Sequence, residues 1–324
     1  MDEDEEQPLL RAQSFERQNV KNDRKPLSKF ESSKEDVNEE LERCGLVVVK
    51  EKRVKMKAKA PVKMQRTRSV AKKRRGQSAN LQMFSILVEN CLGDEGTISQ
   101  DAEIFGFKTK SVFNKDVCQL VINFEEVTNS IVEIWARYLH EEMVNESGEI
   151  LVQFGTSVAV CIPKKPSLQS VTRRSQYIAD LLGNALLGQI TLIPYNTGNH
   201  WVLVAIDLAM QTVYYLDSIG GSPPEDLEII VNQGVRIHHA STSKNRMNLK
   251  WVRVMCPKQA GAMECGYFVM MYMKDIVSDV KVLKQNFSKI KEYTEGDILG
   301  IREEWASYAA TLIRMLMDAT AMKT

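Results

Sequence analysis

No uninterrupted apolar run in this chain reaches the roughly 18 residues that a membrane span requires. The chain opens on the acidic stretch "MDEDEEQ", where a secretory leader would be basic and then apolar. Both absences predict a soluble intracellular protein with no membrane partner. Cysteine is sparse: Cys44, Cys91, Cys118, Cys161, Cys256 and Cys265 are spread over 324 positions without a Cys-x-x-Cys pair. That spacing argues against a disulfide framework and against a structural zinc site, so reduced thiols are expected, with no metal and no cofactor. Histidine is scarcer, at four residues, and no internal repeat is present.

What the chain does have is a hidden charge asymmetry. The formal net charge is only +1, yet residues 1–80 hold 21 Lys/Arg against 14 Asp/Glu, while residues 81–324 hold 22 against 28. A basic arm thus precedes a mildly acidic body. The arm is charged, poor in aromatics and without a sustained period, so it cannot bury enough apolar surface to offset its ordering entropy and is expected to be disordered over 1–80. Its segment 50–76 carries 13 basic residues and one acid, Glu51. A solvated tail, a nuclear-import signal at Lys72 to Arg75 and a contact to nucleic-acid phosphates all fit that composition. No aromatics interleave with the charges, so base stacking is not supported. A nuclear location follows from the import reading, with the cytoplasm as an additional one.

Composition changes near Leu81. "LQMFSILVENCL" reads as a first ordered element, and "NSIVEIWARYLHEEM" places Ile131, Ile134, Trp135 and Tyr138 at helical intervals behind a possible cap at Asn129 or Ser130. "ILVQFGTSVAVCIP" reads as short strands, "SQYIADLLGNALL" as a helix and "GQITLIPYN" as a strand. "HWVLVAIDL" and "TVYYLDS" are rich in strand-forming residues. A helix from about Glu264 to Val280 and a closing helix over "GDILGIREEWASYAATLIRMLMDA" complete the order. The mixture predicts one α+β domain over 81–324.

Within that domain the scarce residue types converge. His140 lies in a charged helix end and His238 and His239 in a polar stretch, whereas His200 begins a strand. If the two strands fold back with a turn around Leu208 to Met210, the hairpin sets His200 directly opposite Asp217, within reach of an imidazole–carboxylate hydrogen bond. A histidine held by an aspartate has a fixed tautomer and a stabilised imidazolium, as a general base for a thiol needs; a plain surface His–Asp pair is the alternative. In "CPKQAGAMECGYFVMMYM" (256–273), Cys265 stands at the start of an apolar helix with Gly266 behind it. A thiol there is ordinarily a small buried hydrophobe, but the positive end of a helix and a neighbouring imidazolium favour a thiolate nucleophile. Gln259, six residues upstream, could present its side-chain amide beside the Cys265 backbone N–H as an oxyanion hole.

The segments "GNHWVLVAID", "YYLDSIGG" and "CPKQAGAMECGYFVMMYMKDI", in this order and spacing, resemble the ubiquitin-like-protein-specific cysteine proteases. That group contains the SUMO proteases and, more distantly, the adenovirus protease, and the layout is also similar to plant transposon-associated members. The resemblance is strongest over residues 190–280. It implies a papain-like, adenain-like fold with a central mixed sheet flanked by helices and the nucleophile at a helix N-terminus. It also implies catalytic roles for His200 (general base), Asp217 (orienting partner), Gln259 (oxyanion donor) and Cys265 (nucleophile), and substrate contacts at Trp201, Phe124 and Gly266. Trp201 would line the channel for a Gly-Gly tail. Departures are visible: Phe124 stands where SUMO-specific members often have tryptophan, Glu264 where Asp is usual, and Lys258 precedes the glutamine.

The resemblance implies a thiol isopeptidase that cleaves after the Gly-Gly end of SUMO or a related modifier, its partners being that modifier and its lysine-linked conjugates. Two other readings stay open on the residues alone. One is a catalytically weak or inactive modifier-binding protein whose basic arm contacts nucleic acid or an import receptor; the other is an acetyltransferase built on the same three groups.

Overall fold

The computed structural model describes residues 78–146, 151–161, 167–242, 249–290 and 292–321. The expectations for the arm, its basic cluster at 50–76 and Cys44 fall outside them.

The chain enters its first helix, α1 (Ala79–Cys91), at Ser78, whose side chain caps Leu81 N–H at 3.4 Å. An antiparallel hairpin follows, β1 (Thr97–Gln100) and β2 (Thr109–Val112), bracketing the one-turn α2 (Ala102–Phe105). After α3 (Lys115–Ile122) comes α4 (Asn129–Glu146), over the segment whose helical spacing was legible in sequence. Among its described residues, "ILVQFGTSVAVCIP" yields one strand, β3 (Val152–Phe154), and then a helical turn, α5 (Ser157–Val160), opened by Thr156 as its cap. The hydroxyl of Thr156 accepts from Val158 N–H, and that local bond diverts the chain from a second strand.

Helix α6 (Leu168–Asn184) starts earlier than its apolar spacing suggests, because Ser167 and Ser170 form a reciprocal capping box. The strands β4 (Ile190–Asn196), β5 (Trp201–Asp207) and β6 (Thr212–Leu216) then run consecutively. Helix α7 (Glu225–Thr242) and the short β7 (Lys250–Arg253) complete this half. Last come α8 (Cys265–Ser278), α9 (Lys281–Lys284) and the long α10 (Glu295–Ala321).

The sheet order is β3-β4-β5-β6-β7, with the outer pairs β3–β4 and β6–β7 parallel and the inner pairs antiparallel. It is buried on both faces. Leu192, Leu203, Ala205, Tyr214 and Leu216 face the side of α4, α8 and α10; Ile193, Tyr195, Val202, Val204, Ile206, Val213 and Tyr215 face α6 and α7. This explains why the β5 and β6 sequences are continuously apolar rather than alternating. The helices on the first side are also tied by buried indoles: Trp135 Nε1 donates to Met270 O at 2.9 Å and Trp305 Nε1 to Ile131 O at 3.1 Å. The result is an α+β fold of the papain-like type, a mixed sheet between helical layers.

The β5–β6 register corrects the symmetric hairpin. Leu203 pairs with Leu216 and Asp207 with Thr212, so the loop is Leu208 to Gln211, one residue longer than the anticipated turn. Gln211 takes φ +49°, and Asp207 Oδ1 accepts Met210 N–H at 3.0 Å, closing that wider loop. Extending the register puts Ile219, not Asp217, opposite His200. A displacement of two residues keeps Asp217 on the same face as His200, so the pair survives as a diagonal rather than a direct neighbour.

Candidate active site

Three elements converge at one end of the sheet. His200 immediately precedes β5 and Asp217 immediately follows β6, so the antiparallel pairing brings both to the same edge. Cys265 is the first residue of α8, which packs against β5. Gln259 lies in the loop between β7 and α8.

His200 Nε2 and Asp217 Oδ1 are 2.7 Å apart, with Asp217 only 6% exposed. The carboxylate also accepts Ile219 N–H at 2.9 Å on Oδ1 and Gly221 N–H at 2.7 Å on Oδ2. A Cβ at Gly221 would stand 2.8 Å from Oδ2, so only glycine allows this close a turn. Burial pushes the Asp217 carboxyl up, but the His200 hydrogen bond, the two backbone N–H groups and the imidazolium charge outweigh it and hold it at about 2. Burial likewise disfavours the His200 imidazolium, yet its hydrogen bonds to Asp217 and Cys265, and the negative charge on both, raise it to about 9. With Nε2 committed to Asp217, the other ring nitrogen, Nδ1, is the one left for the thiol. His200 is held before β5 by a tight turn in which Thr197 N–H donates to His200 O at 2.9 Å and Gly198 has φ +109°.

The described cysteines are all free thiols. Burial alone drives Cys118 up to about 12, and mainly burial drives Cys161 up to about 11, so neither is available as a thiolate near neutral pH. Cys265, by contrast, adds to the rise of the His200 imidazole.

Gln259 is half-buried and tied to the Asp217 turn. Its backbone N–H donates to Ser218 O at 3.1 Å, the Ser218 hydroxyl donates to Gln259 Oε1, and Gln259 Nε2 donates to Gly261 O at 2.8 Å. Lys258, one of the departures seen in sequence, donates Nζ to Asp217 O at 2.7 Å. Glu264, a second, accepts Gly261 N–H at 2.6 Å and so closes the loop just before Cys265.

The three substrate-side residues behave differently. Trp201 is 3% exposed and donates Nε1 to Val127 O at 2.9 Å. Gly266 is buried under Val127, whose Cβ would lie 2.4 Å from a Cβ at position 266. Phe124 sits elsewhere, 5.4 Å from the Tyr267 ring and under the Arg302 guanidinium at 5.1 Å, with φ +55° at the end of α3. Val127 is therefore laid against both Trp201 and Gly266. Counting back from Asn129 would have found it, because it directly precedes the turn into α4. The approach leaves no room at position 266: Gly266→Ala is expected to destabilise the fold by about 1–3 kcal/mol, read as a lower denaturant midpoint at unchanged slope.

Among the described residues no group of three or more His, Cys, Asp or Glu could hold a metal ion, and no helix is long and apolar enough to cross a membrane.

Residues 189–314 match the model of the Ulp1 protease family, C-terminal catalytic domain. The matched part is thus similar to the cysteine peptidase domain of that family, in the region where the motifs carry the resemblance. Solved structures are similar to this chain. One described as a de-sumoylating protease has a TM-score of 0.51 at 12% identity, over 70% of this chain and 95% of that one. SUMO protease Ulp1 with its catalytic cysteine oxidized to a sulfinic acid gives 0.48 at 15% identity, over 72% and 95%. The C-terminal Ulp1 protease domain in complex with Smt3, the yeast ortholog of SUMO, gives 0.47 at 16%, over 71% and 95%. A comparison with curated protein sequences yields no match.

Proposed function

We propose that the chain is a thiol isopeptidase that hydrolyses the bond after the C-terminal Gly-Gly of SUMO or a related ubiquitin-like modifier, with residues 81–324 as its catalytic domain. The observation that carries this reading is the 2.7 Å hydrogen bond between Asp217 and His200 at one end of the sheet, with Cys265 acting on the same imidazole and Gln259 anchored to the same turn.

In the proposed reaction His200 takes the Cys265 proton and the thiolate attacks the glycine carbonyl carbon. The tetrahedral oxyanion is met by the Gln259 side-chain N–H and the Cys265 backbone N–H. As the carbon–nitrogen bond breaks, the imidazolium gives its proton to the departing lysine amine, leaving a thioester. Water, deprotonated by His200, attacks the thioester and restores the thiol. Asp217 holds the ring and the imidazolium charge throughout and keeps its own proton off. Trp201, Phe124 and Gly266 are the substrate-side residues of this reading, and Val127 packs against Trp201 and Gly266. For residues 50–76 we propose import into the nucleus, supported by their 13 basic residues against one acid.

The test is a panel of SUMO and ubiquitin probes bearing C-terminal electrophiles. An adduct with at least one modifier that disappears in Cys265→Ala is expected. No adduct with any modifier, or one that survives Cys265→Ala, would sink the reading, and acetyl transfer from acetyl-CoA to Cys265 would replace it with acyltransfer chemistry.

A further inference from the structure

The side-chain amide of glutamine is nearly symmetric in shape, and its last torsion has a broad two-fold profile. One end donates and the other accepts, so an oxyanion donor works only if the nitrogen is held on the correct side. We propose that Ser218 is the positioning residue that sets this orientation. The inference rests on the isopeptidase reading above and deepens it.

Two neighbours fix the amide between them. Gly261 O lies 2.8 Å from Gln259 Nε2, and a carbonyl can only accept, so the nitrogen must be on that side. The oxygen Oε1 then faces the Ser218 hydroxyl, which rotates to donate to it. Because an amide nitrogen carries two N–H bonds, one is spent on Gly261 and the other is left for an incoming oxygen. Ser218 is 1% exposed, so water does not readily replace its hydroxyl.

The location matters as much as the bond. Asp217 and Ser218 are consecutive, and the same turn points one carboxylate at His200 and one hydroxyl at Gln259. The backbone bond from Gln259 N–H to Ser218 O and the bond from Lys258 Nζ to Asp217 O fasten the two loops, but neither distinguishes the amide's ends. Only the Ser218 hydroxyl does so from the Asp217 side. Without it Oε1 loses its donor and only Gly261 O still opposes a reversal that would turn an oxygen toward the developing negative charge.

The experiment uses the full chain, with SUMO and ubiquitin carrying C-terminal aminocoumarin amides as substrates. Ser218→Ala is expected to lower kcat roughly tenfold with KM unchanged, the size of one lost hydrogen bond. The pH limbs should stay where they are, because Ser218 does not titrate. In the Gln259→Ala background the same substitution should add nothing, and Ser218→Thr, which keeps the hydroxyl, should recover most of the rate. Activity of Ser218→Ala within twofold of the parent, losses that multiply in the double variant, or a moved upper pH limb would overturn the proposal; the last would make Ser218 a support of Asp217 alone. Independently of turnover, the Gln259 side-chain amide protons, assigned by their loss in Gln259→Ala, should shift in the spectrum of Ser218→Ala. Unchanged resonances would also overturn it. An inactive parent, or turnover that survives Cys265→Ala, defeats the isopeptidase reading and leaves the amide-orientation result to stand or fall on its own spectrum.

Discussion

His200→Ala is expected to lower kcat on a modifier substrate by about 10⁴-fold while leaving the folded chain intact. The size follows from how many steps pass through one ring. The imidazole receives the thiol proton, returns a proton to the amine and then activates water, and no other described histidine stands at this sheet edge. His140, His238 and His239 lie on α4 and α7. Single-turnover and steady-state rates of the variant, with circular dichroism as the check on folding, measure the effect. A loss of less than tenfold would show that His200 is not the base.

Asp217→Asn should lower kcat by about 10³- to 10⁴-fold and should move the upper limb of the pH profile. In the parent protein the imidazolium persists to about pH 9, because the Asp217 and Cys265 interactions overcome the burial that works against it. Activity that needs the imidazolium as an acid should therefore fall above that pH. The asparagine keeps the size but removes the charge, leaving burial with only Cys265 opposing it, so the limb should move down toward the ordinary 6.5. Stability carries the same pair with opposite signs. The Asp217 contribution is present above about pH 3.8 and is lost as pH falls through about 2. The His200 contribution is complete below about pH 6.5 and is lost as pH rises through about 9. Denaturant midpoints between pH 6 and 10 should decline in the parent and stay flatter in Asp217→Asn. Equal slopes in the two proteins would refute the assignment.

Much of this site could be read along the chain. Helices α4, α8 and α10 declare themselves by apolar spacing, and β5 and β6 by their aromatic and β-branched content. His200, Asp217 and Cys265 stand out because histidine and cysteine are scarce and each adjoins one of those elements. The elements that stayed hidden are short or polar. The β1–β2 hairpin has four residues per strand, β7 has four, and α7 carries acids in its first turn and the His238–His239 pair near its end. Such segments are defined by what they pack against rather than by their own period.

The chemistry available at the site is written in the chain: a thiol at the start of an apolar helix, an imidazole and a carboxylate bracketing two strands, and an amide in the loop before the thiol. Residue type and local periodicity suffice for that. Tertiary structure alone decided the hairpin register, which makes His200 and Asp217 diagonal neighbours, because a loop's length depends on its φ angles and not on apolar pattern. It also decided that Val127 lies on Gly266 and Trp201, and that Ser218 bonds the Gln259 amide. Those contacts span 74 residues between Trp201 and Val127 and 41 between Ser218 and Gln259, and separations of that length carry no periodic signal to read.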